Sequence, residues 1–205
     1  MIVIVDYKMG NIGSVLNMCR KIGAEAKISD DPRDIESADK LILPGVGSFD
    51  TGMKHLHESS FLSVLNEKVL VRKTPTLGIC LGMQLLTKRS EEGELPGLGW
   101  IDGETVKFNL DSNQPDLKIP HMGWNTVTVK RSDSLFRDLE GEARFYFVHS
   151  YRVVCNRDED VLAVTHHGSA FVSALEHGNI AGTQFHPEKS HKFGMKLLKN
   201  FAELG

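Results

Sequence analysis

Thr76-Leu77-Gly78-Ile79-Cys80-Leu81-Gly82-Met83-Gln84-Leu85-Leu86 is the stretch that decides the fold. Thr76 to Ile79 reads as an apolar strand, and a helical pattern from Leu81 to Thr87 begins at once. Upstream, the alternation repeats. Met1 to Val5 is a continuous β-branched run, as expected of a strand covered on both faces. A helix follows Gly10-Asn11, with Ile12, Val15, Leu16, Cys19 and Ile22 on its apolar stripe and Gly23 ending it. Ala26 to Ile28 and Leu41 to Leu43 are further strands. Helical signals run from about Phe49 to His57 and from Phe61 to Leu70. This β-α-β-α order predicts an α/β protein with a doubly wound, mostly parallel open sheet and right-handed crossovers. The second half is richer in strands: Thr126–Val129, Ala143–Val148, Tyr151–Cys155, Val161–His166, Ala170–Glu176 and Ile180–Gln184. Short turns at Asn156-Arg157-Asp158 and His167-Gly168 point to antiparallel pairs there. A last helix, His191 to Glu203, buries Phe193, Leu197, Leu198 and Phe201, with Leu204 just beyond it, and turns Lys192, Lys196 and Lys199 to water.

Composition sets the outer limits. The 205 residues suit a single domain spanning 1–205, large enough to bury a core without disulfides. Lys+Arg 24 against Asp+Glu 27 leaves a net charge of −3, which gives no basic excess for nucleic acid or an anionic membrane. No apolar run is long enough for a membrane span. The opening Met1-Ile2-Val3-Ile4-Val5-Asp6 lacks a basic leader, so no signal peptide is expected. Three cysteines, Cys19, Cys80 and Cys155, do not make a disulfide framework, and a cytoplasmic setting is expected.

In open α/β sheets the ligand site lies outside the carboxyl ends of the strands. Gly78-Ile79-Cys80-Leu81-Gly82 sits at such an end and has the geometry of a nucleophile elbow. Small neighbours permit a tight turn, the side chain stands at the top of the sheet, and the following helix aims free N–H groups at the sulfur. Both the N–H groups and the helix dipole favour thiolate. Taken alone, the same pentapeptide also suits a buried cysteine among packing glycines. A base is needed, and His186 in Gln184-Phe185-His186-Pro187-Glu188 follows a late strand with an acid two residues on. Alone, that run also fits a solvated turn. Together the two signals favour a Cys80-His186-Glu188 triad. Acyl transfer further needs donors for an oxyanion: the N–H of Leu81, and a second from Pro44-Gly45-Val46-Gly47-Ser48, at Val46 or Gly47. The histidine pairs His55/His57 and His166/His167 are too close in sequence for one helix-face pair, so no metal is assigned. Cys19 and Cys155 read as packing residues.

At these residues the chain resembles the class I (triad) glutamine amidotransferases, which share the elbow and a late H-P-E. More closely, it is similar to the glutaminase subunits of imidazole glycerol phosphate synthase. That likeness rests on Asp6-Tyr7-Lys8-Met9-Gly10-Asn11, Leu43-Pro44-Gly45-Val46-Gly47-Ser48-Phe49, the elbow through Leu86, His121-Met122-Gly123-Trp124-Asn125, Phe147-Val148-His149-Ser150-Tyr151 and His186-Pro187-Glu188-Lys189-Ser190. The resemblance implies a flavodoxin-like class I amidotransferase domain that hydrolyses glutamine and passes ammonia to a (β/α)₈-barrel synthase (cyclase) subunit in a heterodimer, serving histidine biosynthesis without a cofactor. It implies substrate contacts at Gly47, Gln84, Ser150 and Tyr151, and partner contacts at Asn11, Trp124, Tyr146 and Lys189. A chain of this length has no room for the barrel, which needs about 250 residues by itself. Where the family opens Asp-Tyr-Gly, this chain has Lys8, which would be strained if its φ were positive. The segment Ser90 to Pro96 is reminiscent of variants that serve amidination of surface-polysaccharide sugars. A stand-alone γ-glutamyl hydrolase and a non-catalytic binding module are the competing readings.

Overall fold

The computed structural model describes residues 1–109, 117–139 and 141–204. Its first half follows the expected alternation: β1 (Ile2–Val5), α1 (Ile12–Lys21), β2 (Ala26–Ser29), α2 (Pro32–Ser37), β3 (Lys40–Gly45), α3 (Phe49–Glu58), α4 (Leu62–Asn66), β4 (Thr76–Cys80) and α5 (Leu81–Leu85). The second half holds β5 (Gly103–Lys107), β6 (His121–Thr126), β7 (Thr128–Val129), β8 (Arg144–His149), β9 (Tyr151–Cys155), β10 (Val161–His167), β11 (Ser169–His177), β12 (Ile180–Thr183) and α6 (His191–Ala202). The main sheet runs β2-β1-β3-β4-β12-β11-β10-β7. Its first five strands are parallel, and β12 joins β4 in register from Ile180 opposite Thr76 to Thr183 opposite Ile79. From β11 onward the pairing is antiparallel. β9 pairs with β11 and carries β5 on its other edge. β6 and β8 form a separate antiparallel ribbon.

Alternation along β1 explains the double winding. Ile2 and Ile4 pack with Val15 and Cys19 of α1 and with Leu197, Leu198 and Phe201 of α6. Val3 and Val5 pack on the other side with Phe49, Met53 and Leu56 of α3 and with Leu81 and Leu85 of α5. Two successive residues therefore feed two cores, which is why β1 carries no polar residue.

Several elements depart from expectation for local reasons. The Phe61–Leu70 helix is α-helical only through Asn66 and continues as a π-helical turn over Glu67–Val71. There Lys68 is buried and its Nζ donates to the Ala38 carbonyl at 2.7 Å, ending α2. Helix α5 stops at Leu85 rather than Thr87. Thr87 Oγ1 donates to the Gln84 carbonyl at 2.8 Å, and the N–H groups of Leu98 and Ile101 take the carbonyls of Leu85 and Leu86. The expected Thr126–Val129 strand is split between β6 and β7, because the chain passes from ribbon to main sheet at the buried Val127. β5 lacked an alternating signal, since its residues Gly103-Glu-Thr-Val-Lys107 are mostly polar. Helix α2 is a single short unit, started by Asp31, which accepts from the Arg33 N–H at 2.9 Å, with Pro32 at its first position. Among the described residues, no helix is long and apolar enough to cross a membrane.

Candidate active site

The parallel strands deliver three loops to one edge of the sheet. At the end of β4, Cys80 has φ 54 and ψ −108, a conformation few side chains adopt. The strain is held in place by packing around it. Gly45, at the end of β3, lies so close to the elbow that a Cβ there would approach Leu81 Cβ to 2.9 Å and Gly82 N to 3.1 Å. The chain therefore cannot relax without separating β3 from α5. Cys80 is only 6% exposed, yet it lines the cavity above the sheet.

His186 arrives from β12 and is 1% exposed. Its Nδ1 donates to Glu188 Oε1 at 2.7 Å, within a short turn formed by Pro187–Lys189. A carboxylate at Nδ1 fixes the tautomer and leaves Nε2 with the lone pair. That Nε2 is buried and has no hydrogen-bond partner among the described residues. The Cys80 sulfur makes two long contacts, donating to the Val148 carbonyl and accepting from Gln184 Nε2, each at 3.8 Å. Burial works against the imidazolium, but Cys80 and then Glu188 outweigh it and raise the His186 pKa, which makes Nε2 a ready acceptor for the thiol proton. The backbone around His186 is also pinned. Its N–H donates to the Tyr146 carbonyl at 2.9 Å, and Ser190 Oγ bridges from the Tyr146 N–H (3.0 Å) to the His186 carbonyl (2.6 Å).

A cavity of about 320 Å³ opens over the sulfur. Val46, Gly47, Cys80, Leu81, Gln84, Ser150 and Tyr151 all line it. The structure thus brings together every residue the sequence suggested for nucleophile, oxyanion and substrate contact, while His186, beside Cys80, and Glu188 lie outside the lining. Three further residues belong here that motif reading passed over. Glu92 lines the cavity and accepts from the Phe49 N–H at 2.9 Å; burial pushes its carboxyl pKa up. His149 lines the cavity from β8. Gln184 is fully buried, joined to Gln84 Nε2 through its Oε1 at 3.1 Å. His149 and Gln184 stood inside motifs already quoted, but neither had a signal for its place in the site, and the burial of Gln184 beside the sulfur had none.

The residues expected at a partner face divide. Trp124, 41% exposed, stacks on His191 with ring centroids 5.3 Å apart and stands edge-on to Tyr146 at 6.3 Å. Lys189 Nζ lies 5.8 Å from the Tyr146 ring centroid. These three share one surface, together with the exposed Met122. Asn11 caps α1, accepting from the Ser14 N–H at 3.3 Å. Lys8 does have a left-handed backbone, φ 64, and its Nζ is held between Asp6 (3.2 Å) and Asp30 (3.1 Å). Cys19 is buried in the core and Cys155 is half-buried in β9; burial raises both thiol pKa values, to about 11 and about 12. Neither sits near the cavity lining.

The family profile "Glutamine amidotransferase class-I" matches residues 3–204. An "Imidazole glycerol phosphate synthase subunit HisH 2" from Pseudomonas aeruginosa is 52% identical over all of both chains. A protein of the same name from Methanococcus maripaludis is 56% identical over 98% of each. Among solved structures, one described as a glutamine amidotransferase superposes with a TM-score of 0.74 at 20% identity, covering 98% of this chain and 97% of the other. A putative GMP synthase component from Thermoplasma acidophilum gives 0.73 at 23% identity, covering 98% and 91%. At those identities the two structures attest the fold alone.

Proposed function

The chain belongs to the class-I glutamine amidotransferases, and on that footing we propose that it is a glutaminase, working through Cys80, His186 and Glu188. The observation that carries this reading is the buried imidazole, tied to Glu188 at 2.7 Å, beside a strained Cys80 that lines the cavity.

His186 Nε2 takes the Cys80 thiol proton, and the sulfur attacks the side-chain amide carbon of glutamine. The resulting oxyanion is met by the N–H of Leu81 and by a donor from Val46 or Gly47. His186 returns its proton to the amide nitrogen, the C–N bond breaks, and ammonia leaves a γ-glutamyl thioester. Water then attacks the thioester, His186 again taking a proton and handing it to the departing sulfur, which releases glutamate. Glu188 holds the imidazole in the required tautomer and stabilises its cation. Gln84, Ser150, Tyr151 and Gly47 hold the substrate, and Glu92 supplies an acid for its α-ammonium group. No step calls for a cofactor or metal.

The acceptor of the ammonia lies on another chain. Relatives named as subunits of imidazole glycerol phosphate synthase support a synthase partner, taken to be a (β/α)₈ barrel in a heterodimer. The surface bearing Met122, Trp124, Tyr146 and Lys189 is our choice for the docking face, because large apolar side chains stay exposed there. Ammonia delivered in a closed complex keeps its lone pair, whereas free ammonia is protonated at neutral pH. A second reading changes only the acceptor, to a sugar amidinated for a surface polysaccharide. It rests on the likeness of the segment Ser90 to Pro96 to variants of that kind. Cys80→Ala tests the common core: glutamine-dependent synthesis should vanish while ammonia-dependent synthesis by the copurified complex persists. Glutamine hydrolysis by that variant would refute the assignment. Stimulation of hydrolysis by a nucleotide or by a sugar substrate separates the two acceptors.

A further inference from the structure

Beside the triad lies a second set of buried imidazoles that the hydrolysis scheme does not use. His121 and His149 face each other across the β6–β8 ribbon, opposite one another in register. Both are buried, walled by Phe108, Phe147 and Phe171. Their protons can be placed by elimination. His149 Nδ1 lies 2.7 Å from the Tyr151 carbonyl, which only accepts, so Nδ1 carries a proton. His149 Nε2 then holds a lone pair 3.0 Å from His121 Nδ1, which must donate to it. The remaining nitrogen, His121 Nε2, is an acceptor for Asn125 Nδ2 at 3.1 Å. Asn125 is itself oriented, since Nδ2 also donates to the His166 carbonyl at 3.0 Å and Oδ1 accepts the Thr126 N–H at 2.8 Å. Every donor therefore points the same way, from Asn125 through His121 and His149 to Tyr151. A proton added to either ring would set donor against donor. Burial also favours the neutral rings, bringing the His121 pKa down to about 4 and that of His149 to about 3.

The receiving carbonyl matters. Tyr151 O also accepts from Gln84 Nε2 at 3.2 Å, and the second proton of that amide goes to Gln184 Oε1 at 3.1 Å. Gln184 Nε2 in turn points at the Cys80 sulfur. One continuous line of hydrogen bonds thus joins β6, whose outer face carries the exposed Met122 and Trp124, to the nucleophile.

We propose that His121 and His149 are positioning residues for glutamine hydrolysis: a neutral, one-directional relay that fixes the Tyr151 carbonyl and, through it, the amide of Gln84 and the wall of the substrate cavity. This rests on the glutaminase reading of Cys80. Satisfied core histidines with no functional task would need only to fill space. A relay needs its donors.

The test uses the copurified complex and two alkylating agents. A diazoketone analogue of glutamine reports the substrate site, and iodoacetamide reports the sulfur alone. His149→Phe keeps ring volume and removes both hydrogen bonds. It should raise KM for glutamine about tenfold, with kcat within about twofold, the change expected for one lost hydrogen bond near 1.4 kcal/mol. It should slow labelling by the analogue to match, and leave iodoacetamide labelling unchanged. His149→Asn keeps a donor where Nδ1 stood and should recover most of the loss. If His149→Phe does not fold, His121→Asn, which keeps the donor toward His149, is compared with His121→Gln, which moves it; only the second should raise KM. Wild-type KM and labelling in His149→Phe or His121→Gln would overturn the proposal, as would His149→Asn as impaired as His149→Phe. A wild-type enzyme whose Cys80 ignores the glutamine analogue would instead overturn the glutaminase reading, and the relay with it.

Discussion

Gly82→Ala tests whether the elbow is held by backbone packing. The helix that follows Cys80 lies directly on β3. A Cβ on Gly82 would come 2.8 Å from the carbonyl carbon of Leu43 and closer still to its oxygen, where ordinary contact begins at 3.4 Å. The carbonyl carbon alone demands a separation of at least 3.4 − 2.8 = 0.6 Å, and the oxygen demands more. The obstacle is backbone in a paired central strand, so no side chain can swing aside. Overpacking of this kind costs about 1–3 kcal/mol, and the rigid opponent places this variant near the upper end, at about 3 kcal/mol. Cys80 is two residues away and would ride with the helix. A displacement approaching 1 Å at the nucleophile costs roughly 100-fold in turnover. Urea unfolding gives the first quantity and glutamine hydrolysis by the complex the second. Gly13→Ala is the control, because a Cβ there meets nothing within 4 Å and Gly13 lies within α1; it should gain about 0.5 kcal/mol or more. Gly82→Ala losing under about 1 kcal/mol with unchanged turnover would refute the packing argument.

Other outcomes follow from single contacts. Glu188→Gln removes the charge that holds the His186 tautomer and lifts its pKa, so kcat for glutamine should fall at least about 100-fold, measured in the complex, with the fold intact by circular dichroism. Thr87→Val removes the 2.8 Å hydroxyl bond to the Gln84 carbonyl, which keeps the Thr87 N–H at 3.1 Å; a stability loss of about 0.5–1.5 kcal/mol in urea is expected. Because His149 stays neutral when folded, with its pKa lowered to about 3, the unfolded chain binds the extra proton as pH falls below about 6.5, and stability is lost in that direction. At pH 5.5 this amounts to about 1.4 kcal/mol, so the advantage of wild type over His149→Asn should shrink by that much between pH 7.5 and 5.5, read by urea unfolding at the two values.

What the sequence revealed and what it hid divide along a physical line. The parallel half was legible because each strand is buried on both faces and each junction has its own punctuation: Gly23 after α1, Pro44-Gly45 after β3, Gly78 to Gly82 around the elbow. The residues suggested for the cavity were legible because loops after parallel strands share one edge of the sheet. The ribbon was not. His121-Met122-Gly123-Trp124-Asn125 lacks the β-branched residues that mark strands, and its pairing with β8 depends on a chain segment far away in sequence. Glu92 and Gln184 escaped for a related reason. Each acts through long-range contacts, and a single polar residue has no periodicity to betray it. The π-helical turn at Glu67–Val71 is fixed by Lys68 reaching Ala38, again a contact between distant segments.

The ribbon's alternation places two jobs on one pair of strands. Outward stand Met122 opposite Val148 and Trp124 opposite Tyr146; inward stand His121 opposite His149, with Phe145 and Phe147 in the core. The outer residues meet whatever covers that surface. The inner residues reach the Tyr151 carbonyl, and the Tyr146 backbone holds His186 on both sides through its own N–H and C=O. Strand pairing makes the two faces move as one body, since a register change would turn His121 and His149 out to water. A partner gripping Trp124 and Tyr146 therefore acts on the base and on the substrate wall together. Loosening only the outer contacts, as Trp124→Ala would, should lower hydrolysis in the complex by more than it weakens hydrolysis by the free chain. Equal losses in the two settings would mean that the ribbon's faces are energetically independent.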